Sequence, residues 1–512
     1  MSQNNTEIRA LKVASVTGLA SVLAIAMQIV TVPTCLKYWG NESYGMWLAL
    51  FSLFAMLQTT GSGFVNYVGN QINILYHRDL PALQSTLASA LLGVFLLGSL
   101  QLTVILTLIG LGMLPGLIGT SVARADINHA HLALLTLAGS WVLGGFYLGI
   151  VHRLLVPAGM MYQAAWWSLC SQLTLFLVVI CAALFRTSLL QASLTYAIVQ
   201  FIYIFASAWY VRCKLPVFYP WWKGFSVAQG LHDLQQSMSL TTSGIIQQGA
   251  SNALVLIVSV FSGASAVPVF TTVRTLANLW TNITNVLTTP LLPDVVRFHA
   301  KGEWKKLLAV QETHSVLVGT AVNLSMLLAF PFIDPFYRHW TQHTVALNKF
   351  LLCVLLASVS LLNLGAMMNI FLTGINHHRT IFSTTLARGA VSLILGALLV
   401  QVLGLSGLGL GIWTGELLTL LLLIYFFFKQ ARLLGELDSA RHSLSPPLLG
   451  VASLHIFFAV EILTSFNGPW LHLLAILGVC VSAFWGWVRL DTSVRARLHH
   501  LVSKRLSLKG VL

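Results

Sequence analysis

The chain has 512 residues, of which 57% are hydrophobic and only 8% charged, against roughly 25% charged in ordinary soluble domains. That balance excludes a soluble protein built on one core, because no single core absorbs so much apolar sequence. The formal net charge of +14 has to be explained by topology or by an acidic partner.

A bilayer core about 30 Å thick takes roughly 20 mostly apolar residues per helix, and such stretches recur from end to end. The polar opening MSQNNTEIRALK runs into an apolar span too long for a signal-peptide core, so it reads as a retained first helix. In chain order, helices are expected at 13–36, 46–70, 86–111, 131–151, 164–185, 190–211, 240–262, 267–292, 314–334, 349–373, 380–404, 407–428, 447–465 and 469–488. This is an all-α polytopic membrane bundle of about fourteen helices. A transmembrane β-barrel is excluded, since the spans are twice too long for barrel strands and do not alternate. Gly404 to Gly407 joins the eleventh and twelfth spans, and Asn467-Gly-Pro469 joins the last two, so each pair forms an antiparallel hairpin.

Lys and Arg set the orientation. One side collects Arg9 and Lys12, then Arg212, Lys214 and Lys223, then Arg297, Lys301, Lys305 and Lys306. Lys429, Arg432 and Arg441 follow, and the tail adds Arg489, Arg495, Arg497, Lys504, Arg505 and Lys509. An even number of helices then places both termini in the cytoplasm, and the charge is topological rather than a nucleic-acid footprint. The basic tail also suits an anionic lipid surface.

No Cys-x-x-Cys pair occurs among the six cysteines, which gives metal or disulfide chemistry little support. His339 and His343 lie four apart, but Trp340 stands where a zinc protease carries its glutamate. No Walker motif is present, so the chain is not itself an ATPase, and no cofactor is expected.

An internal repeat aligns the connection between helices one and two with that between seven and eight. Tyr38-Trp-Gly40-Asn-Glu-Ser-Tyr44-Gly-Met-Trp47 stands opposite Val260-Phe-Ser-Gly263-Ala-Ser-Ala-Val267-Pro-Val-Phe270, Gly against Gly. The next connections, His77-Arg78-Asp79 and Ala300-Lys301-Gly302-Glu303, also agree. The expected organisation is an N-terminal lobe (1–212), a linker (213–239), a C-terminal lobe (240–430), an appended helix pair (431–489) and a basic tail (490–512).

Further motifs run from Gln28-Ile-Val-Thr-Val-Pro33 through Gly40-Asn-Glu-Ser-Tyr44-Gly45-Met-Trp47 to Thr60-Gly61-Ser62-Gly63. They continue with Gly263, Phe270, Arg274 and Pro293, the Lys301-Gly302-Glu303 turn, and Gly374-Ile-Asn376. In these the chain resembles the polysaccharide-type, Wzx-like lipid-linked oligosaccharide flippases of the multidrug/oligosaccharidyl-lipid/polysaccharide (MOP) exporter superfamily. Two positions depart from the pattern: Thr60 stands where an acid is common, and the first helix lacks the arginines usual in the lipid II branch. The resemblance implies two MATE-like six-helix lobes working by alternating access in the bacterial cytoplasmic membrane. Its implied substrate is a polyprenyl-diphosphate-linked oligosaccharide, an O-antigen, capsule or exopolysaccharide repeat unit. It also implies that the last helix pair forms an apolar groove for the lipid tail, and that polysaccharide polymerase or assembly enzymes are partners.

Ionisable residues inside a membrane are expensive and usually face a cavity or a partner. Arg388 lies about 12 Å from the inner surface and Glu416 about 13 Å from the outer one. In a slab about 30 Å thick the two depths are close enough to pair. Two readings stay open: a structural salt bridge, or a cationic cavity site with Glu416 as carrier of a coupled proton or sodium ion. Arg274 shares its helix with Thr271, Thr272, Asn278 and Asn282, three of them near one face. Glu461, close to the outer end of helix thirteen, is expected to snorkel or pack. In helix seven Gln248, Ser251 and Asn252 cluster on one face. They read either as cavity lining or as polar glue between helices. Arg274, Arg388, Gln248, Asn252 and Asn278 are thus the candidate substrate contacts. Rival readings are a multidrug exporter of the related branch, which should show buried acids without buried arginines, and a membrane polymerase, ligase or glycosyltransferase. The enzyme needs a reactive loop; the longest outer connection holds only Arg124, Asp126, His129 and His131, and the inner 212–239 loop one acid, Asp233.

Overall fold

The computed structural model describes residues 3–119, 124–375, 377–464, 469–490 and 495. Asn376, the connection at Asn467 and nearly all of the basic tail lie outside them, as do the side chains of Thr17, Arg124, Asp126, Gln247 and Pro293.

The chain is helical, as its composition demands. The first element, α1 (Gln3–Leu75), carries both of the first two expected spans and is broken at Gly40, where φ is 76° and ψ 175°. There follow α2 (Leu80–Gly110), a single turn α3 (Leu114–Leu117), α4 (Arg124–Ser140), α5 (Phe146–His152), α6 (Met161–Leu184) and α7 (Leu189–Lys214). A π-turn at Trp141–Gly145 lies between α4 and α5. Helix seven of the sequence reading is α8 (Val227–Gly244) and α9 (Ala250–Ser262), joined by a second π-turn at Ile245–Gly249. Beyond Gly263 come α10 (Ala266–Thr288), α11 (Leu292–Ala300), α12 (Trp304–Trp340), α13 (Lys349–Gly374), α14 (His378–Leu403), α15 (Leu405–Leu433), α16 (Leu437–Thr464) and α17 (Pro469–Arg489). Eleven of these segments are long and apolar enough to cross a membrane. The α8–α9 pair and the polar α10 supply expected spans seven and eight.

Helix ends follow local chemistry. Asp79 caps α2, accepting from the Ala82 N–H at 3.0 Å, and Ser188 and Gln191 close a reciprocal capping box on α7. Asn348 caps α13 in the same way as Asp79 caps α2.

By contacts the chain divides into two compact units, Met1–Thr271 with Arg338–Ala346, and Thr272–Tyr337 with Leu347–Leu512. In the first, α1 packs on α2, α6, α8 and α9. The Thr60-Gly61-Ser62-Gly63 cluster permits this: a Cβ on Gly61 would strike Phe146, and one on Gly63 would overlap the backbone of Thr241. Small residues let membrane helices approach where no solvent drives them together. Phe64, Phe146, Ile72 and Leu154 fill one buried cluster of this unit. Trp47 and Trp221 are buried, whereas Trp166 and Trp222 are exposed. Trp47 lies inside because its ring packs between Trp39 and Phe51.

In the second unit α13 is the central helix, packed against α11, α14, α15 and α16, and it is buried along most of its length. The α14–α15 hairpin turns at Gly404 (φ 58°). A row of glycines on α15 then sets the approach: a Cβ on Gly407 would overlap the Leu399 backbone, one on Gly411 the Gly396 backbone, and one on Gly415 the Ser392 hydroxyl. The last pair interlocks likewise, Gly450 against Ser482 and Gly478 against Ser453, and Gly486 seats α17 on Val316 of α12.

Candidate functional site

The glycine row on α15 ends beside Glu416. Arg388 Nη1 on α14 meets Glu416 Oε1 at 3.3 Å, with the arginine side chain 33% exposed and the carboxylate 13%. The two residues therefore meet, as their inferred depths allow. The reason is packing: with Gly411 and Gly415 carrying no side chain, the helices approach until the two long side chains reach each other.

Arg274 and Asn278 lie one turn apart on α10. Arg274 is half-buried; Asn278, Asn282 and Asn285 are exposed. These four positions recur every three or four residues and make one polar stripe. The rest of the helix surface is tied down. Thr272 Oγ1 lies 2.8 Å from the Tyr337 hydroxyl, Thr288 Oγ1 2.8 Å from His314 Nε2, and Trp280 Nε1 donates to Ser325 Oγ at 3.0 Å. The three exposed asparagines cannot point into hydrocarbon without cost; that edge suits water or a polar ligand.

In the first unit, Gln248 falls in the π-turn of helix seven and is exposed, and Asn252 is half-buried one turn on. Asn252 Nδ2 is buried and meets no acceptor among the described residues. Irregular helical turns of this kind concentrate at functional positions. Among the candidates, Arg388 and Glu416 touch each other; Gln248 and Asn252 are neighbours on helix seven, as are Arg274 and Asn278 on α10.

Three polar contacts go beyond what the sequence alone indicates. Arg153, just past α5, donates to Asn66 Oδ1 at 2.7 Å, its stem lying against Gly69; Asn66, Asn70 and Asn73 form an exposed polar edge of α1. Gln101, buried in α2, donates to the Leu57 carbonyl at 2.9 Å and to Thr60 Oγ1 at 2.7 Å. A lone glutamine in a long apolar run is the available signal. Glu461, expected to snorkel or pack at the outer end, meets Lys349 Nζ at 2.5 Å and is 6% exposed.

On α8, Asp233 is 1% exposed. Gln229 Nε2 donates to its Oδ1 at 3.0 Å, while Oδ2 meets no donor among the described residues. Burial raises this carboxyl above its ordinary range, against the weaker opposing pull of Gln229 and His232.

No family model matches the chain, and no curated protein matches it. Solved structures do. The lipid II flippase MurJ, in an inward closed conformation, is similar with a TM-score of 0.65 at 13% identity, covering 92% of this chain and 97% of that one. An inward-facing multidrug resistance MATE family transporter of the MOP superfamily gives 0.64 at 13% identity, covering 80% and 96%. The MATE multidrug transporter DinF-BH gives 0.57 at 15% identity, covering 82% and 95%. At such identities the likeness establishes the architecture: the chain has the fold shared by this flippase and these transporters.

Proposed function

We propose that the protein is a transporter of the MOP type, and specifically a flippase carrying a polyprenyl-diphosphate-linked oligosaccharide from the inner to the outer leaflet of a bacterial cytoplasmic membrane. The observation that carries the reading is the polar stripe of α10, where the exposed Asn278, Asn282 and Asn285 continue the row begun by half-buried Arg274. An arginine fork matches the oxygens of a diphosphate, and carboxamides suit sugar hydroxyls. Gln248 and Asn252 offer the same chemistry on helix seven. The fold shared with a lipid II flippase supports a lipid-borne cargo.

In this reading the two lobes open alternately to each side, the headgroup and sugars cross along the polar faces, and the polyprenyl tail stays in lipid. Both termini are cytoplasmic. A negative headgroup leaving a negative interior gains roughly 2.3 kcal/mol per charge per 100 mV, so the membrane potential contributes to the drive. Glu416, held by Arg388, is the proposed carrier of any coupled proton or sodium ion.

The test is reconstitution in vesicles bearing an inner-leaflet-labelled polyprenyl-diphosphate oligosaccharide, with sugar exposed outside read by an impermeant lectin. Transfer with the sugar intact supports the flippase. Efflux of a cationic dye without lipid transfer points to a multidrug exporter, and cleaved or extended sugar to an enzyme.

A further inference from the structure

Where the last helix pair meets α12 and α13, one buried polar atom has no partner among the described residues. Asn363 on α13 is 2% exposed and engaged: its Oδ1 accepts from Thr284 Oγ1 at 3.4 Å, and its Nδ2 donates to the Gly319 carbonyl at 3.5 Å. Asn323 on α12 is 3% exposed, and its Oδ1 meets no donor among the described residues. Both asparagines line a cavity of about 10 Å³ together with Gly319, Gly450 and Ser482. Gly450 on α16 forms the notch: a Cβ there would touch Ser482 Oγ on one side and lie 4.0 Å from Asn323 Nδ2 on the other. Ser482 Oγ donates its own proton to the Pro446 carbonyl, so its lone pairs are left to accept.

A carboxamide oxygen buried without a donor forfeits the hydrogen bonds it makes to water in the unfolded chain. A polar space of about one water-sized sphere, offering two to four partners, is what a structural water occupies. The lining decides what else fits. It contains no Asp or Glu, and a bare cation within a membrane bundle is costly without an anionic partner. An apolar occupant satisfies neither oxygen.

We propose that this cavity binds one water molecule, which donates one hydrogen to Asn323 Oδ1 and the other to Ser482 Oγ. The water joins α12 to α17 across the notch left by Gly450, and adds a polar tie to the packing of Gly486 on Val316. The appended pair α16–α17 is thereby fixed to α12 and α13 and moves with them as one body. This inference stands apart from the identity of the cargo.

The test is a high-resolution structure of the full-length protein in sodium, potassium and choline salts. A solvent peak about 2.8 Å from both Asn323 Oδ1 and Ser482 Oγ is expected in all three. A peak confined to sodium, or none, overturns the proposal. Thermal melting gives a second readout: Asn323→Leu and Ser482→Ala each lower the melting temperature, and the double variant loses no more than the worse single one. Additive losses overturn the bridge. Gly450→Ala, which fills the notch, should be milder in the Asn323→Leu background than in the wild type; equal losses count against the water.

Discussion

Gly40 and Gly263 take nearly the same unusual backbone conformation, φ 76° and ψ 175° at the first, φ 81° and ψ 166° at the second. They are the two glycines that the internal repeat sets opposite each other. The region is almost closed to residues with a Cβ, so the match reflects the same sharp turn made twice. Replacing either with alanine is expected to cost about 1–3 kcal/mol, by similar amounts at the two sites, although neither has a neighbour within 4 Å for the new methyl to strike. Gly139→Ala, in ordinary helix with equally open surroundings, should change little. Chemical or thermal unfolding in detergent reads all three, and an indifferent Gly263→Ala would break the parallel.

The Arg388–Glu416 pair predicts a non-additive pattern. Arg388→Ala leaves a carboxylate at 13% exposure without its partner, and is expected to cost about 1–3 kcal/mol. Arg388→Ala combined with Glu416→Gln should recover most of that loss, because the stranded charge is gone. Melting of the four proteins of the cycle checks this. Equal losses from the single and double variants would mean that the pair adds nothing to the hairpin.

Gly411 is expected to tolerate no side chain. Gly411→Val drives a branched group into the Gly396 backbone, and overpacking of this kind costs about 1–3 kcal/mol. The same change should also lengthen the Arg388–Glu416 separation, so transport and stability fall together. Gly435→Val, where a Cβ meets nothing within 4 Å but φ is 75°, separates backbone strain from helix contact: it should destabilise without disturbing transport.

Asp233 predicts a pH dependence. Its carboxyl is raised above the unfolded value, so between the two values the folded protein holds more protons than the unfolded chain. Stability from this group therefore declines as pH rises from the ordinary carboxylate range through the raised folded value, and it is fully retained below that range. Asp233→Asn should flatten the decline and leave the variant more stable than wild type at neutral pH. Melting curves recorded across the acidic-to-neutral range measure the difference; parallel curves for the two proteins would contradict it.

The sequence exposes the fold because lipid imposes a length: apolar runs of about 20 residues are readable without any partner. Boundaries are less legible. The ninth span is expected at 314–334, but α12 covers Trp304–Trp340, because hydropathy marks the part in hydrocarbon while the helix continues beyond it. The Arg388–Glu416 contact is within reach of sequence, since a tight hairpin converts residue count into depth. Arg153 with Asn66, Gln101 with Thr60, and the Asn323 cavity are not. Each depends on which turn of a distant helix packs opposite, and on which glycine there leaves room.

Under the proposed function, Arg274 on the polar stripe of α10 reads an anionic lipid-linked headgroup. The most direct measurement is the initial rate of outward transfer of a polyprenyl-diphosphate oligosaccharide in vesicles, for wild type, Arg274→Ala, Arg274→Lys and the Gly139→Ala control. At least a tenfold slowing is expected for Arg274→Ala, about 1.4 kcal/mol, with partial recovery for Arg274→Lys and a control at the wild-type rate. Undiminished transfer by folded Arg274→Ala protein would contradict it.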